Sequence, residues 1–156
     1  RTDLYTASID GDMPALKKIA AKHDKEVYFS SFGDWGYDVF GYFLVTQSDR
    51  IANNPEEVKA FAEATNKAVE YSIANPEVAA KIMVQYNPTL DYETTLAQWS
   101  QSIKAINTDY VKQHGYGAAT NERLQRTVDF VTKAFKLEGV KLEPSDIFDT
   151  SFVPAK

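Results

Sequence analysis

The sequence has no cysteine among its 156 residues. This absence excludes a disulfide framework, a thiol nucleophile and any metal site built from cysteine. It fits a cytosolic enzyme and equally a bacterial exported protein. The sequence also has no long run of basic residues. Its 22 acidic residues outnumber the 17 basic ones, so the net charge is −5. We therefore expect no nucleic-acid partner, because such partners select basic surfaces.

Long apolar runs are also absent. No run approaches the ~18 residues that a membrane-spanning helix needs. Hydrophobic residues make up 44% of the chain and charged residues 25%, which is typical of a soluble globular protein. The composition predicts one domain with a core, rather than a disordered chain.

Motifs for catalysis or metal binding are scarce. The two histidines, His23 and His114, have no second histidine at metal-binding spacing. Asp10-Gly11-Asp12 resembles the start of a calcium loop, but the later ligands are missing. The sequence has no phosphate loop and no nucleophile elbow. We therefore predict no catalytic residue, no metal and no cofactor.

Apolar residues at spacings of three and four predict a helical majority. Capping residues mark several helix starts: Asp12, Asn54, Asn75 and Asp91. Helices are predicted from about Met13 to His23 and from about Asn121 to Phe135. Three short segments favour extended backbone instead, Asp3 to Ser8, Glu26 to Ser30 and Val39 to Gln47. The predicted fold class is therefore α/β with few strands.

The stretch from Phe32 to Phe43 is half aromatic and holds three of the seven glycines. Five residues at its end and directly after it are expected to fill a core: Phe40, Tyr42, Phe43, Leu44 and Val45. Trp35 and Tyr37 instead lie in a glycine-bounded loop, and their rings combine flat apolar area with a hydrogen-bond donor. Such side chains are typical of ligand pockets, so this loop is a candidate cleft wall.

Four motifs, in this order, carry a family resemblance. They are GYFLVTQSDRIANNPEEVKAFAEATNKAVEYSIANPEVAAKIMVQYNP, LDYETTLAQW, GYG with NERLQRTVDFVTKAFKL, and PSDIFDTSFVP. The chain resembles the C-terminal half of the extracytoplasmic solute-binding proteins of ABC importers for nitrate, sulfonates, taurine and thiamine-precursor pyrimidines. RTDLYTASIDGDMPALKKIAAK resembles a strand and helix of the same family.

The resemblance implies part of a type II periplasmic-binding-protein fold, in which two lobes close on a ligand. Residues 1–30 would end the second lobe, residues 31–38 would form a hinge crossover, and residues 39–156 would complete the first lobe. We expect the missing N-terminal half of the same protein to supply the remaining strands, and we expect apolar surface to be exposed without them.

The resemblance also implies a function and a site. We expect capture of a small organic solute, delivery to the membrane permease of an ABC importer, a periplasmic or extracytoplasmic location, a monomer at full length, and no enzymatic activity. The implied ligand-binding residues are Ser8, Asp10, Gly11, Asp34, Trp35, Tyr37 and Asp38.

Two alternatives remain open. Some relatives in this family make the thiamine pyrimidine, and the resemblance implies that they use histidine and a metal. The chain would then belong to a pyrimidine-precursor synthase-like enzyme. The other alternative is a helical interaction module, which would fold alone as a stable dimer.

Overall fold

The computed structural model of the chain describes residues 4–137, 139 and 141–154. Helices dominate these residues, as the periodicity predicts. The α-helices are α1 Asp12–Ala21, α2 Ser48–Asn53, α3 Pro55–Ala74, α4 Pro76–Tyr86, α5 Tyr92–Ile106, α6 Asp109–His114 and α7 Asn121–Ala134. Short 3-10 helices span Phe32–Trp35, Pro144–Asp146 and Thr150–Phe152. None of the helices described here is both long and apolar enough to cross a membrane.

The predicted strands are wrong. Residues 4–8, 26–30 and 39–47 form no β-ladder anywhere in the described part of the chain, and Asp3 lies outside it. A strand exists through hydrogen bonds to a neighbouring strand, so an extended segment without such a neighbour cannot become one. The amide of Phe40 instead donates to the Thr127 hydroxyl at 3.2 Å. The helical majority is confirmed.

The chain divides into two compact units. The first contains Arg1–Phe29 and Lys67–Lys112, and the second contains Ser30–Asn66 and Gln113–Lys156. Helix α3 contributes residues to both.

In the first unit, α5 packs against α4 and α1. Ala80 on α4 and Thr95 on α5 are buried. The indole of Trp99 on α5 donates to the Ser72 carbonyl at 2.9 Å. Lys18 on α1 forms a 2.8 Å ion pair with Asp91, the residue that precedes α5. These two side-chain contacts connect α5 to the end of α3 and, through the residue before it, to α1.

Only some of the predicted helix caps are present. Asp91 caps α5 as predicted, because its carboxylate accepts from the Thr94 amide at 2.9 Å. Asn75 does not cap α4; its side-chain amide donates to the Tyr71 carbonyl at 3.0 Å, at the end of α3. Asp12 is the first residue of α1 rather than its cap, and its carboxylate accepts from the Ser8 amide at 2.8 Å. Short polar side chains compete for several backbone partners, which explains these differences.

The Asp91 cap predicts acid sensitivity in the first unit. Hydrogen bonds from Lys18 and Thr94 lower the pKa of the Asp91 carboxyl below its ordinary value. Because the folded-state pKa is depressed, the stabilisation is complete above the unfolded pKa of about 3.9 and is lost as pH falls toward the folded value. We expect chemical denaturation to show a smaller decline in stability below pH 4 for Asp91→Asn than for the wild type. Asp109→Asn, which removes a carboxylate elsewhere in the same unit, should keep the wild-type decline; equal pH profiles for all three proteins would contradict the assignment.

In the second unit, the core lies along α7. Leu124, Thr127 and Val128 are buried. Val131 and Phe135 on the same helix are exposed. The C-terminal segment docks on this unit, where Phe148 packs on the Phe43 ring with centroids 4.7 Å apart.

The predicted core of the Val39–Gln47 segment is largely wrong. Phe40 is half-buried, whereas Tyr42 and Val45 are 92% and 90% exposed and Leu44 is also exposed. An apolar run is buried on both faces only when other elements cover both faces, and the described residues do not cover this one. Helix α4 likewise exposes four large apolar side chains: Val78, Ile82, Met83 and Tyr86. The expected exposed apolar surface is therefore present.

Candidate functional site

The first group of predicted site residues lies in the turn that starts α1. The Ser8 hydroxyl accepts from the amides of Gly11 at 3.0 Å and Asp12 at 3.2 Å. The amides of Asp12 and Met13 also donate to the Ser8 carbonyl at 3.2 Å each. Ser8 therefore performs the capping role that the sequence assigned to Asp12. A Cβ atom at Gly11 would lie 2.6 Å from the Ser8 hydroxyl oxygen, so a larger residue would force that hydroxyl to move.

Two contacts fix this turn to α5. The Ser102 hydroxyl donates to one carboxylate oxygen of Asp10 at 3.0 Å, and the Gly11 amide donates to the other at 2.9 Å. The side-chain amide of Gln98 donates to the Gly11 carbonyl. Both carboxylate oxygens of Asp10 therefore already accept hydrogen bonds within the protein. The polar groups of this turn are positioned by α5, and a ligand would approach a preformed surface.

The second group lies in and after the Phe32–Trp35 helix. Ser31 caps this helix, with its hydroxyl accepting from the Gly33 amide at 3.1 Å. The Trp35 indole donates to the Ser30 hydroxyl at 3.1 Å, while 82% of the residue is exposed. Gly36 ends the helix in the left-handed region with φ +88°. The hydrogen bond fixes the indole, so its exposed area is a preorganised apolar surface.

The conformation of Gly36 gives a direct test of this loop. Nothing lies within 4 Å of a Cβ atom added at Gly36 or at Gly41, so neither alanine variant clashes. Only Gly36 of the two has positive φ, which costs an L-residue roughly 1–2 kcal/mol. We expect Gly36→Ala to lower the free energy of unfolding by about that amount and to change the fluorescence of Trp35. Gly41→Ala is the control and should change neither; equal effects of the two variants would contradict the left-handed turn.

Tyr37 and Asp38 are held against α7. The Tyr37 ring packs edge-on against Phe130, with centroids 4.6 Å apart. The Asp38 carboxylate accepts from Arg123 at 2.9 Å through one oxygen and from Arg126 at 3.0 Å through the other. An aromatic contact and two ion pairs therefore position the end of the loop.

Arg123 and Arg126 are the residues that sequence reasoning missed. They are three apart on α7, so both face the same neighbour. The signal was available in NERLQR, one of the motifs that carries the family resemblance. Both arginines pair with Asp38, so this acid of the loop has basic partners within the same chain.

The seven predicted residues fall into the two units. Ser8, Asp10 and Gly11 belong to the first, and Asp34, Trp35, Tyr37 and Asp38 belong to the second. Each group is ordered by contacts within its own unit, and their joint role in ligand binding stays a prediction. In residues 4–137, 139 and 141–154, no group of three His, Cys, Asp or Glu side chains could hold a metal ion.

Comparison with known proteins identifies the relatives. The family described as NMT1/THI5 like matches residues 2–79. The 4-amino-5-hydroxymethyl-2-methylpyrimidine phosphate synthase THI12 of Saccharomyces cerevisiae is 30% identical over 80 residues, which is 47% of this chain and 24% of that protein. The synthases of the same name from Aspergillus parasiticus and Candida albicans are 30% identical over 74 residues and 27% identical over 101. Those two alignments cover 43% and 60% of this chain, and 22% and 30% of the respective synthase.

These relatives correct one prediction. The chain was expected to belong to a protein without enzymatic activity, but the curated relatives are named as synthases. The chain spans about a quarter of the length of the first of these, since 24% of THI12 is aligned. The family match covers 2–79, half of the chain, and includes every predicted site residue. The chain therefore belongs to the NMT1/THI5-like family, as the four motifs indicated.

Proposed function

We propose that this chain is part of a protein that makes a phosphorylated pyrimidine, which is the activity in the names of its synthase relatives. The observation that carries the proposal is the extent of the family match, residues 2–79. It includes both the Ser8–Gly11 turn and the Asp34–Asp38 loop. The exposed Trp35 indole supports it further, because a flat aromatic surface with a fixed orientation suits stacking against a heterocycle.

The proposal includes a fold for the longer protein. Residues 1–30 would end the second lobe of a type II periplasmic-binding-protein fold, residues 31–38 would cross the hinge, and residues 39–156 would complete the first lobe. The extended segments 4–8, 26–30 and 39–47 support this arrangement, because they carry strand-forming residues and expose apolar side chains. In the longer protein, strands from the N-terminal half would pair with them.

A growth experiment tests the function. The natural full-length gene is expressed in a host that cannot make the pyrimidine phosphate, and growth is measured with and without added pyrimidine. A synthase restores growth without any pyrimidine in the medium. Failure to do so, with the protein folded and abundant in the cell, would contradict the proposal.

Solute capture for an ABC importer is the second candidate. It rests on the same exposed loop, since Trp35 and Tyr37 present rings without needing any catalytic group beside them. On this proposal the longer protein is an extracytoplasmic monomer that delivers a small organic solute to a membrane permease. It predicts growth of the same host only when pyrimidine is supplied, together with uptake at low external concentrations.

The loop itself has a separate test in the full-length protein. If Trp35 lines the cleft, Trp35→Phe abolishes the change in tryptophan fluorescence when the pyrimidine binds. Trp99→Phe is the matched control, because Trp99 lies on α5 and its indole is engaged by the Ser72 carbonyl. A response that persists in Trp35→Phe and disappears in Trp99→Phe would exclude Trp35 from the cleft wall.

A further inference from the structure

The carboxylate of Asp38 sits between two guanidinium groups. One oxygen accepts from Arg123 at 2.9 Å and the other accepts from Arg126 at 3.0 Å. Guanidinium groups are the usual protein partners of carboxylates and phosphates, because their N–H donors match pairs of anionic oxygens. The two arginines therefore present donors at the spacing of two oxygens on one anion.

Other contacts orient the arginines independently of Asp38. The Arg123 guanidinium lies over the Phe40 ring, 4.5 Å from its centroid. The Arg126 guanidinium also donates to Glu122 at 3.3 Å, one turn earlier on α7. Arg123 and Arg126 each precede a buried residue of α7, Leu124 and Thr127. The donors would therefore stay close together if Asp38 turned away.

The site is open to solvent. The side chains of Arg123, Arg126 and Asp38 are 42%, 49% and 48% exposed. Ion pairs at this level of exposure contribute little to stability, so a solute anion can replace Asp38 at a small cost in free energy. When Asp38 leaves, the two arginines outweigh Glu122, the other carboxylate that pairs with Arg126. A solute oxyanion would then meet a local positive charge on a chain whose net charge is −5.

We propose that Arg123 and Arg126 form a binding site for a phosphate-type oxyanion and that Asp38 fills this site when no ligand is bound. Asp38 directly follows Tyr37 and is three residues from Trp35. A ligand with a phosphate group on a flat ring would thus find both donors and aromatic surface on one short loop and its supporting helix. The identity of the ring rests on the proposed function, whereas the oxyanion site does not.

Inorganic phosphate tests the site on the 156-residue chain. The side-chain N–H signals of the arginines are followed by NMR during a phosphate titration at constant ionic strength. The signals of Arg123 and Arg126 should move with one saturable curve. Arg50 is the internal reference, because its ion pair with Glu57 lies outside the site and its signal should not follow that curve.

Two acid-to-amide variants test whether Asp38 occupies the oxyanion site as a competitor of phosphate or forms ion pairs with a structural role alone. Asp38→Asn should lower the Kd for phosphate by about fivefold to tenfold, since it removes a competitor held by two exposed ion pairs. Asp34→Asn removes the same charge from the same loop and should change the Kd by less than about twofold. Arg126→Gln should raise the Kd by at least about fivefold.

Three results would overturn the proposal. They are the absence of a saturable shift in the wild type, equal effects of Asp38→Asn and Asp34→Asn, and weaker phosphate binding in Asp38→Asn with its helix content intact. If Asp38→Asn loses helix content, the wild-type titration decides alone. A full-length protein that binds phosphate here but makes no pyrimidine phosphate would refute the proposed function and leave this site standing.

Discussion

Replacing Leu124 by alanine is expected to lower the free energy of unfolding by about 2–5 kcal/mol. Leu124 lies on the inner face of α7 and is 2% exposed. The loss combines the lost burial of the side chain with the cavity that remains. Only three apolar residues of the described chain are buried, Ala80, Leu124 and Val128, so the variant removes a large share of the buried apolar area.

Leu44→Ala is the matched control for this prediction. It makes the same chemical change in the same unit, but Leu44 is 61% exposed. We expect a change of less than about 0.5 kcal/mol. Urea denaturation monitored by circular dichroism measures both variants, and equal losses would contradict a core centred on α7.

Replacing Thr127 by valine is expected to cost about 1–3 kcal/mol, even though the side chains have nearly the same shape. The buried Thr127 hydroxyl donates to the Arg123 carbonyl at 3.0 Å and accepts from the Phe40 amide at 3.2 Å. Valine removes the acceptor and leaves a part-buried N–H without its partner. Such an unpaired donor carries the full desolvation penalty.

Thr95 provides a control with the same local geometry. It is also buried on a helix, and its hydroxyl donates to the carbonyl four residues earlier, that of Asp91, at 2.8 Å. That carbonyl also accepts from the Thr95 amide, so Thr95→Val leaves it with a partner. We expect Thr95→Val to cost well under half as much as Thr127→Val. Similar losses, or unchanged exchange of the Phe40 amide in Thr127→Val, would show that Thr127 does not hold the segment.

Features encoded locally were predicted well. Helix α4 begins at Pro76 within Asn75-Pro76-Glu77 and ends at Tyr86, directly before Asn87-Pro88, although the Asn75 side chain does not cap it. The Asp91 cap and the start of α7 follow from the same short-range chemistry, in which a polar side chain meets an amide within three residues. Such contacts form within a few residues of chain, so one sequence suffices to find them.

Features that need a distant partner were predicted poorly. Val39–Gln47 has strand-forming residues, but a strand also needs a neighbour in the same fold. The periodicity identifies an apolar face on α7, but it does not show that Val128 is buried and that Val131 is exposed. Asp38 and Arg126 pair although they are 88 positions apart in the sequence. No local sequence pattern predicts a pairing over that separation.

The site was half predictable for the same reason. Glycines and aromatic residues marked the Gly33–Asp38 loop, and the structure orders that loop with an indole exposed. The partners that position the loop come from α7, much later in the chain. The sequence placed the turn from Ser8 to Gly11 at the end of a strand, but the structure places it at the start of α1. The groups that support it, the Gln98 amide and the Ser102 hydroxyl, lie on α5.

The uncovered Val39–Gln47 segment also governs how the isolated chain behaves in concentrated solution. Its nine residues carry no charge and no proline, and most of its large side chains face solvent. Uncharged segments rich in aromatic and β-branched residues pair readily with copies of themselves and stack into fibrils. Charge repulsion between chains opposes this at neutral pH and vanishes near the isoelectric point, which is about 5.0. Self-association should therefore be fastest there, nucleated by residues that the folded units leave unpaired.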